Sequence, residues 1–103
     1  MDSKLRPDVI ARVRLLSSAE GGRQRAIPPT MFGVPFFFEG EGFDCRLLLD
    51  QLGVSLEPGQ ERAGIPIKFL FPEYIKGRLR PGDKFKLWEG KDIAEGEVTE
   101  VLL

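Results

Sequence analysis

The residues that could do chemistry in this chain are few, and their spacing argues against catalysis. There is no histidine among the 103 residues, which removes imidazole-based triads, acid–base pairs and imidazole-ligated zinc. The single cysteine, Cys45, has no histidine to pair with and nothing obvious to lower its pKa, so it reads as a small buried hydrophobe. Glu39, Glu41 and Asp44 form an acidic cluster, readable as solvated hairpin charge or as oxygen ligands for a divalent cation. The Asp-x-Asp-x-Asp-Gly spacing of a calcium loop is absent. Gly21-Gly22 reads as a turn needing positive φ, because no helix follows to cradle a phosphate. No Gly-x-x-x-x-Gly-Lys-Ser/Thr loop occurs. The expectation is a non-enzyme without metal or cofactor.

The richer signal is one of binding. Lys76, Arg78 and Arg80 alternate, so a strand would put them on one face. Lys84 and Lys86 extend the set, and Tyr74 and Trp88 lie near its ends, where rings can stack on bases. Solvated strand faces are the simpler reading of the same residues. Net charge is −1, but it is unevenly placed. Residues 1–30 carry +3, residues 31–61 carry −5, residues 62–86 carry +5 and residues 87–103 carry −4. Such blocks build either solvated faces or basic and acidic surfaces that steer a partner.

The elements that would position these residues are strands. Twelve Gly and eight Pro punctuate the chain too often for long helices. Residues 1–7 read as a polar tail and residues 8–103 as one domain. Val9 to Leu16 alternates and forms the first strand. Phe32 to Phe38 is a strongly apolar strand whose three consecutive Phe must point to both faces, and Gly40 and Gly42 bend the chain after it. Arg46 to Gly53 suits either a strand or a short helix ended by Gly53, with strand favoured. Gly64 to Phe71 places Ile65, Ile67, Phe69 and Phe71 on one face. Phe85 to Glu89 and Ile93 to Leu103 complete about six strands, the pattern of an all-β sandwich or barrel. The N-terminus lacks an apolar leader, and no run spans a membrane. A lone cysteine fits a reducing cytoplasm.

The order of these signals resembles a known family. Val13 and Leu15 followed by Glu20-Gly21-Gly22-Arg23 look like the opening of the C-terminal (third) β-barrel domain of translation elongation factor Tu. Pro35-Phe36-Phe37-Phe38, Pro58-Gly59, Ile67 to Pro72, Glu89-Gly90 and Gly96 to Leu102 follow in the family's order. The resemblance implies a small closed six-stranded antiparallel Greek-key barrel. It further implies a binding module without GTP hydrolysis, because the family's GTPase is a different domain. A protein partner is the leading expectation, with transfer RNA bound through the basic strand as the alternative. A third reading is a mimic that competes with the elongation factor for a partner. The candidate contact residues are Arg23, Arg25, Lys76, Arg78, Arg80 and Glu89. Of these, Glu89 falls on a position that touches the transfer RNA T stem in the family, whereas the family's contacting Gln falls near Pro35, which has no side-chain donor.

Overall fold

Alternation in the segment VIARVRL folds the first strand. Val9, Ala11, Val13 and Leu15 are buried, while Ile10, Arg12 and Arg14 lie on the outer face. The same two-residue period recurs through a computed structural model that describes residues 5–103. Its strands are β1 (Val9–Leu15), β2 (Met31–Phe38), β3 (Glu41–Leu48), β4 (Glu61–Phe69), β5 (Lys84–Trp88) and β6 (Asp92–Val101). All neighbours are antiparallel, and the order round the wall, β1-β4-β3-β2-β5-β6, closes into a barrel. Strands β2, β3 and β4 follow one another, and β1 returns beside β4, which is a Greek key. Closure leaves no free sheet edge in the order of strands, the hazard a small all-β fold must manage.

Each turn has a local cause. β2 and β3 are joined by Glu39 and Gly40, both at positive φ (53° and 80°), with Phe38 paired to Glu41. That is the two-residue hairpin whose twist matches its strands. The stretch 46–53 resolves the strand-or-helix ambiguity by containing both. β3 runs to Leu48, and one helical turn, α1 (Leu49–Leu52), follows. Gly53 ends it at φ 64°, its N–H donating to the Leu49 and Asp50 carbonyls. The tail expected over residues 1–7 falls partly outside the described residues. From Leu5 the chain is held, since Gln51 Nε2 donates to the Leu5 carbonyl at 2.8 Å. Asp8 is buried, and its carboxylate accepts from the Phe69 N–H (2.8 Å) and from Lys68 Nζ (3.1 Å).

The core is aromatic at its centre. Phe36 stacks on Phe85 with centroids 4.2 Å apart and meets Phe69 edge-on at 5.0 Å. Of the three consecutive phenylalanines, Phe36 and Phe38 point inward, and Phe37 lies outside against Trp88 at 6.0 Å. Cys45 is buried, and the loss of hydration pushes its thiol pKa well up.

Two expectations are corrected. Phe71 does not continue the inward face of β4. The strand ends at Phe69, and Phe71, just before Pro72, is about half exposed. Nor is the segment Tyr74 to Gly82 a strand. A 3₁₀ turn (Pro72–Tyr74) leads into further turns, with Ile75 and Leu79 buried and Gly77 at φ 84°. The apolar pair four residues apart anchors a coiled connection, so Lys76, Arg78 and Arg80 share no pleated face.

Candidate binding surfaces

Strand direction divides the expected contact residues between two ends of the barrel. The β1–β2 connection and the β5–β6 hairpin lie at one rim, which carries Arg23, Arg25 and Glu89. The β2–β3 turn and the β4–β5 connection lie at the opposite rim, which carries Lys76, Arg78 and Arg80. The six residues therefore form two clusters, not one surface.

At the first rim, Arg23 Nη1 donates to both Glu89 carboxylate oxygens, at 2.8 and 3.1 Å, and Nε donates to the Arg25 carbonyl at 3.3 Å. The guanidinium also lies 5.3 Å from the centre of the Phe32 ring. Arg25 is exposed beside this pair. The preceding residues are equally committed to the fold. Ser17 and Glu20 form a reciprocal capping box on a 3₁₀ turn, Ser18–Glu20. Both Glu20 oxygens accept from Arg14, at 2.9 and 3.0 Å. That guanidinium, with the Ser17 amide and hydroxyl, lowers the Glu20 pKa to about 2. Gly21 sits at φ 86°. Gly22 lies so close to the backbone of Leu16 that any Cβ would collide with its carbonyl. Every residue of Glu20-Gly21-Gly22-Arg23 thus has a structural task.

At the second rim, Arg78 reaches back to the β2–β3 turn. Its Nη2 lies 3.1 Å from Glu41 and 3.5 Å from Glu39, and the guanidinium covers the Phe43 ring at 5.2 Å. The carboxylates, Glu41 foremost, raise the Arg78 pKa. This engagement accounts for two members of the acidic cluster. Among the described residues no three His, Cys, Asp or Glu side chains are grouped to hold a metal ion.

The barrel wall carries a third feature that no motif announced. A groove of about 760 Å³ crosses the outer face of β1, β6, β5 and the end of β2. Phe37 and Trp88 give it an aromatic flank. Its charges are ordered by register. Lys84 and Lys86 of β5 stand opposite Glu97 and Glu95 of β6, which stand opposite Arg12 and Arg14 of β1. Ion pairs follow at Arg14–Glu95 (3.0 Å), Lys86–Asp92 (3.4 Å), Arg12–Glu61 (3.9 Å) and Arg12–Glu97 (4.0 Å). Alternation in ARVRLL and AEGEVTE identifies the outward residues. It does not say which strands lie side by side, and that neighbourhood makes the groove. No helix of the described residues is long and apolar enough to cross a membrane. No family model matches the sequence, and no curated protein matches it.

Proposed function

We propose that this chain is a non-catalytic binding module, a translation-related protein-interaction barrel resembling the C-terminal domain of elongation factor Tu. The carrying observation is the wall groove. Phe37 and Trp88 offer it aromatic surface, while most of its charged groups are paired with one another. The Arg14 guanidinium pKa is raised, chiefly by its hydrogen bond to Glu20. A guanidinium held this way is not the poised acid or base that catalysis needs near neutral pH. An apolar flank beside short-range polar groups suits a protein segment. A nucleic-acid backbone, in contrast, would meet Glu61, Glu95, Glu97 and Asp92 among the cations. The closed Greek-key barrel is also the fold that the resemblance implies, although fold alone does not assign function.

Trp88 is the only tryptophan and lies in the groove, so its emission reports occupancy. The test has two arms. Affinity capture from cell extract compares the wild-type chain with Trp88→Ala, and the proposal expects proteins retained by the first and lost from the second. Titration with transfer RNA at low salt follows Trp88 emission, and no change is expected. Identical capture by both baits, or quenching by transfer RNA that weakens as salt rises, overturns the protein-binding reading.

A further inference from the structure

The β4–β5 connection presents a second surface, separate from the groove. Leu70, Phe71 and Tyr74 expose 42%, 51% and 66% of their areas, and the Phe71 and Tyr74 rings lie 6.0 Å apart. Three large apolar side chains exposed within five residues are more than scattered surface hydrophobics. They stand on a fixed base. Ile75 and Leu79 of the same connection are buried in the core. The N–H groups of Ile75 and Lys76 both donate to the Pro72 carbonyl, at 3.1 and 2.9 Å, and that of Tyr74 donates to the Phe71 carbonyl at 3.1 Å. A ring pair held this way loses little conformational freedom when something binds it.

The charges around the rings separate into engaged and free. Arg78 is taken up by Glu39 and Glu41. Lys76 and Arg80 are exposed, and no carboxylate among the described residues lies within ion-pair distance of either. The Asp83 carboxylate accepts from the Arg80 backbone N–H, and Glu73 is exposed between the two aromatic positions. We propose that this rim docks an acidic, apolar segment of a partner protein. Apolar side chains of the segment cover Phe71 and Tyr74, and its carboxylates meet Lys76 and Arg80. Single-stranded RNA fits less well. It needs a continuous track of cations beside its stacking rings, and here Glu73 stands between the rings while Glu39 and Glu41 hold the intervening arginine.

This proposal rests on the reading of the chain as a binding module, but its site is distinct, since neither Phe71 nor Tyr74 lines the groove. The probe is a fluorescein-labelled peptide of alternating Glu and Phe, followed by anisotropy with the full chain. A peptide with Lys for Glu, one with Ser for Phe, and a single-stranded RNA serve as comparisons. Phe71→Ser/Tyr74→Ser and Lys76→Glu/Arg80→Glu alter exposed positions only, and thermal melting checks that both fold. The expected result is binding of the Glu/Phe peptide alone, weakened roughly tenfold or more in each double variant, with Trp88 emission unchanged. Failure of the peptide to bind, equal affinity in the variants, or preference for the Lys peptide or the RNA overturns it. A shift of Trp88 emission overturns it too, by placing the peptide in the groove while leaving the groove reading intact.

Discussion

Gly96 of β6 lies beneath the ring of Phe85, its cross-strand partner in β5. A Cβ at position 96 would collide with that ring and come 2.8 Å from the Arg12 carbonyl oxygen of β1. The absent side chain lets Phe85 lie flat on the strand and stack on Phe36. Gly96→Ala is therefore expected to destabilise the barrel by about 1–3 kcal/mol, the usual cost of forcing extra volume into a packed core. Urea denaturation measures it. A loss indistinguishable from zero would mean that β5 and β6 can part without cost.

The Arg23–Glu89 pair ties the β1–β2 connection to the β5–β6 hairpin, with side chains 23% and 46% exposed. Partly exposed pairs of this kind contribute about 0.2–1 kcal/mol. A double-mutant cycle with Arg23→Ala and Glu89→Ala should give a coupling in that range that shrinks in high salt. If neither single change alters partner capture, the pair is structural only.

Glu20 sets an acid limb on stability. Its folded pKa, about 2, lies below its ordinary value of 4.5. A depressed carboxylate contributes stability that is fully present above the unfolded pKa and lost as pH falls through the folded one. Its contribution should therefore fade between about pH 4.5 and pH 2. Glu20→Gln should flatten that part of the stability profile, as read from urea midpoints across the pH series. A parallel profile in the variant would count against the Arg14 and Ser17 contacts.

Cys45 supplies a kinetic readout. Its thiol is almost wholly buried, and desolvation raises its pKa. In the native state at mildly alkaline pH it should react with an aromatic disulfide reagent far more slowly than in denaturant. The native rate should rise with urea in step with unfolding. Fast labelling of the native protein would show an opening near β3 that the packing does not predict.

Strands were legible in the sequence because alternation is a local property. Val9 to Leu15 and Lys84 to Trp88 carry it cleanly, and of the two glycines read as the bend after Phe38, Gly40 lies in the turn while Gly42 belongs to β3. The end of β4 was not legible, because Phe71 keeps the two-residue rhythm of Ile65, Ile67 and Phe69 beyond the last paired residue. The basic segment misled for a related reason. Lys76, Arg78 and Arg80 alternate, but Ile75 and Leu79 lie four apart, a spacing that suits a turn docked on a core. Among candidate site residues, Arg23 and Glu89 meet across 66 residues, which only the placement of β5 beside β6 and β2 explains. The groove was hidden for the same reason, as its charge rows exist only where β5, β6 and β1 stand side by side.

The adjacency of β1 and β6 has a topological consequence. Val9 pairs with Val101, and the Leu102 N–H donates to the Asp8 carbonyl at 2.9 Å, so the first and last strands are neighbours in one ring. Such a ring has no intrinsic starting strand. A short linker between the ends, with the chain reopened at Glu39-Gly40, should preserve the wall and its core. The order in which the strands are synthesised would then be a choice separable from the barrel they build.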